Sequence, residues 1–238
     1  MSEKILNLVD SRSVGAATAL RIDVIADLVC PWSYLGQSRL DTAMSAYRGR
    51  AEVTWYPFQL NPDMPAEGMD FEAYLSKKFG DPAAMEPALK HLTLIGQTEG
   101  APFDFSKLRR VPNTLAAHRL MRMADAGDQQ SEMAAALYRA FFVDGIDIGD
   151  HEALEHIGGQ LGFSLADVRR ALDDPEALKI VKAEEAQARR AGVTGVPNYL
   201  INKRLFVVGA QESASLLAAI DRATFGAESD IEPPTTLH

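Results

Sequence analysis

The chain carries one cysteine, Cys30, in the stretch Asp27-Leu28-Val29-Cys30-Pro31-Trp32-Ser33. Pro31 suits the first turn of a helix, where its missing N–H needs no partner, so Cys30 is read as the residue that caps that helix. At such a position the sulfur lies beside the free N–H groups of the first turn, where negative charge is favoured. The helix dipole contributes up to about 2 kcal/mol at a partly buried end. Hydrogen bonds from the N–H groups of Trp32 and Ser33, or from the Ser33 hydroxyl, add to it. The chemistry expected is that of a reactive thiolate. A free cysteine at an arbitrary position is more often a small buried hydrophobe, and the strand-Cys-Pro-aromatic-helix context turns the reading toward a nucleophile. Asp27 is a candidate proton relay, although an acid so close also raises a thiol pKa and is commonly a turn or cap residue.

Ser33 stands where a second cysteine would complete a Cys-x-x-Cys pair. With one cysteine the chain forms no internal disulfide, which excludes a disulfide-stapled fold, a Cys-rich zinc module and a dithiol oxidase that resolves its own disulfide. A second stretch of interest is Val196-Pro197 ahead of Asn198-Tyr199-Leu200. A trans bond is the ordinary state there, whereas a cis bond would leave the backbone of Val196 open to an extended peptide. His151 and His156 nearly match a zinc motif, but residues five apart on a helix point roughly 140° away from each other, so a solvated helix is expected and no metal site. No phosphate-binding glycine loop or dinucleotide fingerprint occurs. Met121 and Met123, with Leu115 and Leu120, read as helical core or as the lining of an apolar cleft.

These residues need elements to hold them. Residues 21–28 alternate as a partly buried strand, a helix follows from Pro31, and 51–60 read as a second strand that Pro57 interrupts. Residues 63 to about 189, rich in Ala, Leu, Glu, Lys and Arg, show no period-2 run and read as helical. Residues 195–202 and 204–210 form a hairpin signature around Asn202 and Lys203, and a last helix spans about 211–224. The order βαβ, helices, ββα implies an α/β domain split by a helical insertion. The expected partition is 20–62 with 187–225 for the split domain and 63–186 for the insertion, with 1–19 and 226–238 as terminal extensions, the latter loose.

The 238 residues are 47% hydrophobic, enough for a substantial core, and carry a formal net charge of −9. That charge argues against nucleic-acid and anionic-membrane partners. No stretch approaches the roughly 20 apolar residues of a membrane span, and no basic-then-apolar leader opens the chain. Reduced cytosol is the compartment expected.

The sequence resembles the DsbA-like thioredoxin superfamily, specifically its FrnE-like branch beside the 2-hydroxychromene-2-carboxylate isomerases and kappa-class glutathione transferases. The residues that carry the resemblance are D-x-V-C-P-W-x-Y-L-G around Cys30, "PFQLNP" at 57–62, "PNTLAAHRL" at 112–120, "AFFVDGIDIGD" at 140–150, and "AGVTGVPNYLI" with "VVGAQ" across 191–211. It implies an α/β thioredoxin-like fold with an all-helical domain inserted between the βαβ and ββα halves, and a cis Val196-Pro197 bond beside the thiol. It further implies that Val196 binds the cysteinyl backbone of glutathione, with Pro31 and Trp32 alongside, and that Gln211 and Glu212 hold its γ-glutamyl end. His118 would project from the insertion toward the thiol, to stabilise the thiolate or orient substrate, although by sequence alone a surface or core histidine is commoner. Asn61 and Asn113 are further candidate polar contacts. FrnE-like proteins commonly carry Cys-Pro-Trp-Cys, so Ser33 is a departure, open to two origins: a naturally monothiol protein, or a serine introduced to trap a mixed disulfide.

Three functions fit. The first is a glutathione-linked monothiol thiol-disulfide oxidoreductase that uses Cys30, Ser33 and Pro197, with glutathione as co-substrate, no covalently bound cofactor, and a protein disulfide as partner. The second is a glutathione-dependent isomerase or transferase with a small apolar substrate, where Cys30 or Ser33 donates a hydrogen bond. The third is a redox-silent binding module. The resemblance also leaves room for a homodimer.

Overall fold

A computed structural model describes residues 19–226. The extensions expected at 1–19 and 226–238 lie, but for residues 19 and 226, outside the described residues. Strands β1 (Leu20–Ala26), β2 (Ala51–Pro57), β5 (Asn198–Ile201) and β6 (Leu205–Val208) form one sheet in the order β2-β1-β5-β6. β1 pairs parallel with β2, Leu20 opposite Ala51 through Ala26 opposite Pro57, and antiparallel with β5. A parallel neighbour requires a crossover, and α1 (Pro31–Ala46) supplies it.

The central strand is more buried than its alternation suggested. Ile22, Val24 and Ala26 face a core shared with Leu35 and Leu40 of α1 and with Leu216 and Ile220 of α9 (Ser213–Phe225). Ile25 faces the other way, with Phe58, Leu200 and Ala188 of α8 (Pro175–Arg190). A strand covered on both faces loses its polar side, and even Asp23 is buried. At the β5–β6 turn Asn202 and Lys203 take left-handed φ of 50° and 55°, the twist a tight hairpin requires. The Asn202 side chain accepts from the Arg21 N–H at 2.9 Å and donates to the Ala223 carbonyl at 3.1 Å.

Between β2 and β5 lie α2 (Phe71–Phe79), α3 (Glu86–Glu99), α4 (Leu115–Asp125), α5 (Gln130–Phe142), α6 (His151–Gln160), α7 (Leu165–Asp173) and α8. Asp70, Asp150, Ser164 and Asp174 cap α2, α6, α7 and α8 through side-chain oxygens. The inserted region is not wholly helical. Met69–Asp70 (β3) pairs with Arg110–Val111 (β4), a two-residue ribbon too short to show as a period-2 pattern. α8 also runs unbroken through residue 187, because its Ala188 packs under the sheet while its earlier turns belong to the helical block. Tyr34 of α1 stacks on Tyr138 and Phe142 of α5 at 5.3 and 5.6 Å, which joins the helical block to the crossover helix.

Candidate active site

β1 ends at Ala26, and the loop after it delivers Cys30 to the head of α1. Cys30 is the cap residue, with extended φ −90° and ψ 115°, and Pro31 opens the helix. The Cys30 carbonyl accepts from the N–H groups of Ser33 (3.0 Å) and Tyr34 (3.1 Å), while its own N–H donates to the Asp27 carbonyl at 3.1 Å. The thiol points at the chain entering β5 and donates to the Val196 carbonyl at 3.6 Å. Val196-Pro197 is cis, as the resemblance implies and against the ordinary trans state. Gly36 of α1 makes this approach possible: a Cβ there would run into the Tyr199 hydroxyl and stand 2.9 Å from Pro197 Cγ.

The electrostatics differ from the expectation of a ready thiolate. Cys30 is 3% exposed, and burial pushes its thiol up to about 11. The Ser33 hydroxyl and the Ser33 and Trp32 N–H groups work in the expected direction, but the Asp27 carboxylate opposes them. Desolvation outweighs a helix terminus here because the sulfur is enclosed by α1, α5 and the Val196 segment. The sequence showed the cap; only packing decided its exposure.

The other candidates divide. Ser33 is buried beside the thiol, whereas Trp32 stands 43% exposed at the rim. Pro197 is buried and its carbonyl accepts from the Gly209 N–H at 2.8 Å, which seats the loop holding Gln211 alongside. Gln211 turns its amide to the Val208 carbonyl at 2.7 Å, and Glu212 caps α9 without a side-chain bond. Arg39 pins the same loop through the Ala210 carbonyl at 2.5 Å and pairs with Glu99. Asn113 braces a loop: it accepts from Gln59 at 3.3 Å and donates to the Met64 carbonyl at 2.7 Å. Asn61 faces away, toward Lys78 (3.1 Å) and Tyr74 (3.4 Å), in a cleft of about 280 Å³ lined also by Leu60, Met64 and Met69.

His118 comes into the site from α4, but it faces Asp27 and not the sulfur: Nε2 lies 3.6 Å from Asp27 Oδ1, both side chains buried. The second Asp27 oxygen accepts from the Leu60 N–H at 2.7 Å. Tyr138 escaped sequence reading. Its hydroxyl donates to the Asp27 carbonyl at 3.3 Å beside Cys30 and Ser33. It shares the buried face of α5 with Ala134, Leu137 and Phe141, and nothing local distinguishes it from them. The Glu185–Arg189 pair was likewise missed. It clamps the loop after β2: Glu185 accepts from the Gln59 N–H at 3.1 Å, and the Arg189 guanidinium lies 4.2 Å over the Phe58 ring. Among the described residues no cluster of three or more His, Cys, Asp or Glu could hold a metal, and no helix is long and apolar enough to cross a membrane.

Comparison with known proteins agrees with this fold. The chain is 25% identical over 184 residues to the uncharacterized protein YwbO of Bacillus subtilis (strain 168), covering 76% of this chain and 86% of that one. A probable DsbA oxidoreductase from Streptomyces coelicolor superposes with a TM-score of 0.78 at 26% identity, over 92% of this chain and 94% of that one. The cytosolic disulfide reductase DsbM from Pseudomonas aeruginosa, in a structure with GSH, shares the fold with a TM-score of 0.57 at 21% identity, over 86% and 95%. The family model for the DSBA-like thioredoxin domain matches residues 21–221, nearly the whole described region and both halves of the sheet, and the chain therefore belongs to that family.

Proposed function

We propose that the protein is a thiol-disulfide oxidoreductase that works with one thiol, through a mixed disulfide on Cys30, and that glutathione is the outside thiol. The observation that carries this reading is the placement of the Cys30 sulfur at a helix N-terminus against the backbone of Val196. Cys30 attacks one sulfur of a substrate disulfide, the S–S bond breaks, and the departing sulfur takes the electron pair and a proton. With serine at position 33, a second thiol must attack the Cys30 sulfur to release the product and regenerate Cys30. Glutathione bound to the related DsbM fits that role, and a cytosolic site supplies it. A substrate with two thiols would resolve the adduct itself, which is isomerisation.

Intact mass spectrometry after incubation with oxidised glutathione tests the reading. One glutathione should add to the wild-type protein and none to Cys30→Ser, and the rate should climb with pH throughout the range below about 11. Absence of an adduct at every pH overturns it. A second reading has one observation in its favour: a buried thiol held protonated is a hydrogen-bond donor, as a glutathione-dependent isomerase or transferase with an apolar co-substrate would use it. Such an enzyme keeps much of its activity as Cys30→Ser, whereas an exchange enzyme loses all of it.

A further inference from the structure

Arg39 joins three separate parts of the chain through one side chain. It lies on α1, about 13 Å along the helix axis from Cys30 at 1.5 Å per residue. Only 9% of it is exposed. Its Nη2 donates to Glu99 Oε1 at 2.8 Å, its Nε donates to the other oxygen of that carboxylate, and its Nη1 donates to the Ala210 carbonyl at 2.5 Å. Glu99 ends α3 in the helical insertion, and its carbonyl accepts from the Ser38 hydroxyl beside Arg39. The guanidinium holds the Glu99 carboxyl below its ordinary pKa, so the paired fork is ionised at neutral pH.

Ala210 belongs to the loop between β6 and α9, and that loop lies against the Val196-Pro197 segment. Gly209, at a left-handed φ of 78°, donates its N–H to the Pro197 carbonyl at 2.8 Å. Gly36, one turn before Arg39 on the same face of α1, leaves the space into which Pro197 and Ala210 pack. The Val196 carbonyl accepts from the thiol at 3.6 Å, and the Val196 N–H has no partner among the described residues. The place of Val196 before the sulfur therefore depends on a loop that Arg39 grips from below.

We propose that Arg39 is a positioning residue for thiol-disulfide exchange. Its hold on Ala210 sets the Val196 backbone at the separation from Cys30 that a peptide disulfide requires, and its fork on Glu99 makes the helical insertion the anchor of that hold. The proposal rests on the monothiol reading above. In the reaction the Cys30 sulfur bonds to one sulfur of the disulfide and the S–S bond breaks. The departing thiolate keeps the electron pair and the Cys30 proton passes to solvent, so charge and protons balance. Arg39 touches none of these atoms; it acts through Ala210 on the backbone that pairs with the peptide beside the reacting sulfur. A planar guanidinium suits the task because it bonds a carboxylate along one edge and a carbonyl along another, whereas a lysine ammonium has no such fixed fork.

The test compares two disulfides on the full chain. Oxidised glutathione carries a peptide backbone and dithiodipyridine does not; intact mass spectrometry follows the first and the absorbance of the released thiopyridone follows the second. In Arg39→Met the rate with oxidised glutathione should fall relative to that with dithiodipyridine by about ten- to a hundredfold, as a small misplacement near a reacting pair does. A change in thiol pKa or in general access moves both rates together, so a role in stability alone leaves the ratio as it is. Arg39→Lys, which keeps the charge, should give a smaller fall. Loss of a buried guanidinium can unfold the chain, and Glu99→Gln avoids this, since the Glu99 side chain is 34% exposed and the Arg39 bond to Ala210 stays. It should lower the ratio severalfold with an unaltered circular dichroism spectrum. An unchanged ratio in folded Arg39→Lys overturns the positioning role, and an unchanged ratio in Glu99→Gln overturns the anchoring by the insertion; both leave the monothiol reading standing. A wild-type protein that forms no adduct with oxidised glutathione at any pH removes that reading and the role of Arg39 with it.

Discussion

Cys30 is governed by two opposed effects of similar origin, and their magnitudes decide which wins. The N-terminus of α1 and the Ser33 hydroxyl draw charge onto the sulfur, while enclosure by protein removes the water that would solvate it. A hydrogen bond to a charged group is worth about 1.5 to 3 kcal/mol. Removing the hydroxyl in Ser33→Ala should therefore raise the thiol pKa further and lower the thiolate fraction at a given pH by about tenfold. Titration of the ultraviolet absorbance of the thiolate checks this, and an unchanged curve would mean that the hydroxyl plays no part. Cys30, Pro31 and Ser33 were legible in the sequence because their relation is local, set by neighbours within one turn. Tyr138 was not, since it reaches the thiol from more than a hundred residues away on a helix whose apolar pattern gives it no mark.

At the scale of elements, the site depends on how closely β5 approaches α1. Gly36 sits at that contact, where a methyl group would meet Pro197 and Tyr199. Alanine in place of glycine within a helix gains about 1 kcal/mol by intrinsic propensity. Overpacking a tight core contact costs about 1 to 3 kcal/mol, so the clash should prevail in Gly36→Ala. The melting temperature should fall by several degrees, at roughly 2 to 4 °C per kcal/mol for a chain of this size. The thiol should also move away from Val196 and become more accessible. Calorimetry together with thiol-labelling rates measures both, and a more stable variant with unchanged labelling would show that the contact has slack. β1, α1, β2, the hairpin and α9 were readable from period and turn chemistry. The β3–β4 ribbon was not, because two residues cannot display a period and long-range pairing alone makes them strands.

The whole molecule joins a sheet covered on both faces to a helical block, and the thiol lies where the two meet. One consequence is a dependence of stability on alkaline pH. A thiol that holds its proton more tightly when folded contributes stability that is fully present below its unfolded value near 9. That contribution is lost as pH rises toward about 11. The difference is worth about 2 to 3 kcal/mol. Buried Tyr138, Tyr199 and Tyr56, all raised by desolvation, act in the same direction at still higher pH. Urea unfolding across this interval should show a decline that is shallower by that amount in Cys30→Ala. Parallel declines in the two proteins would mean that the folded thiol is not held protonated.

By itself the sequence determined the single thiol, its place at a helix start, the missing second thiol and the split α/β order. All of these follow from residue type and short-range spacing, which act before the chain folds. Tertiary structure alone decided that the thiol is enclosed and its pKa pushed up by burial, that His118 faces Asp27 and not the sulfur, that Asn113 braces a loop, and that Glu185 and Arg189 hold the segment after β2. Desolvation and contacts between distant segments set those properties, and neither exists until the helical block closes over the sheet.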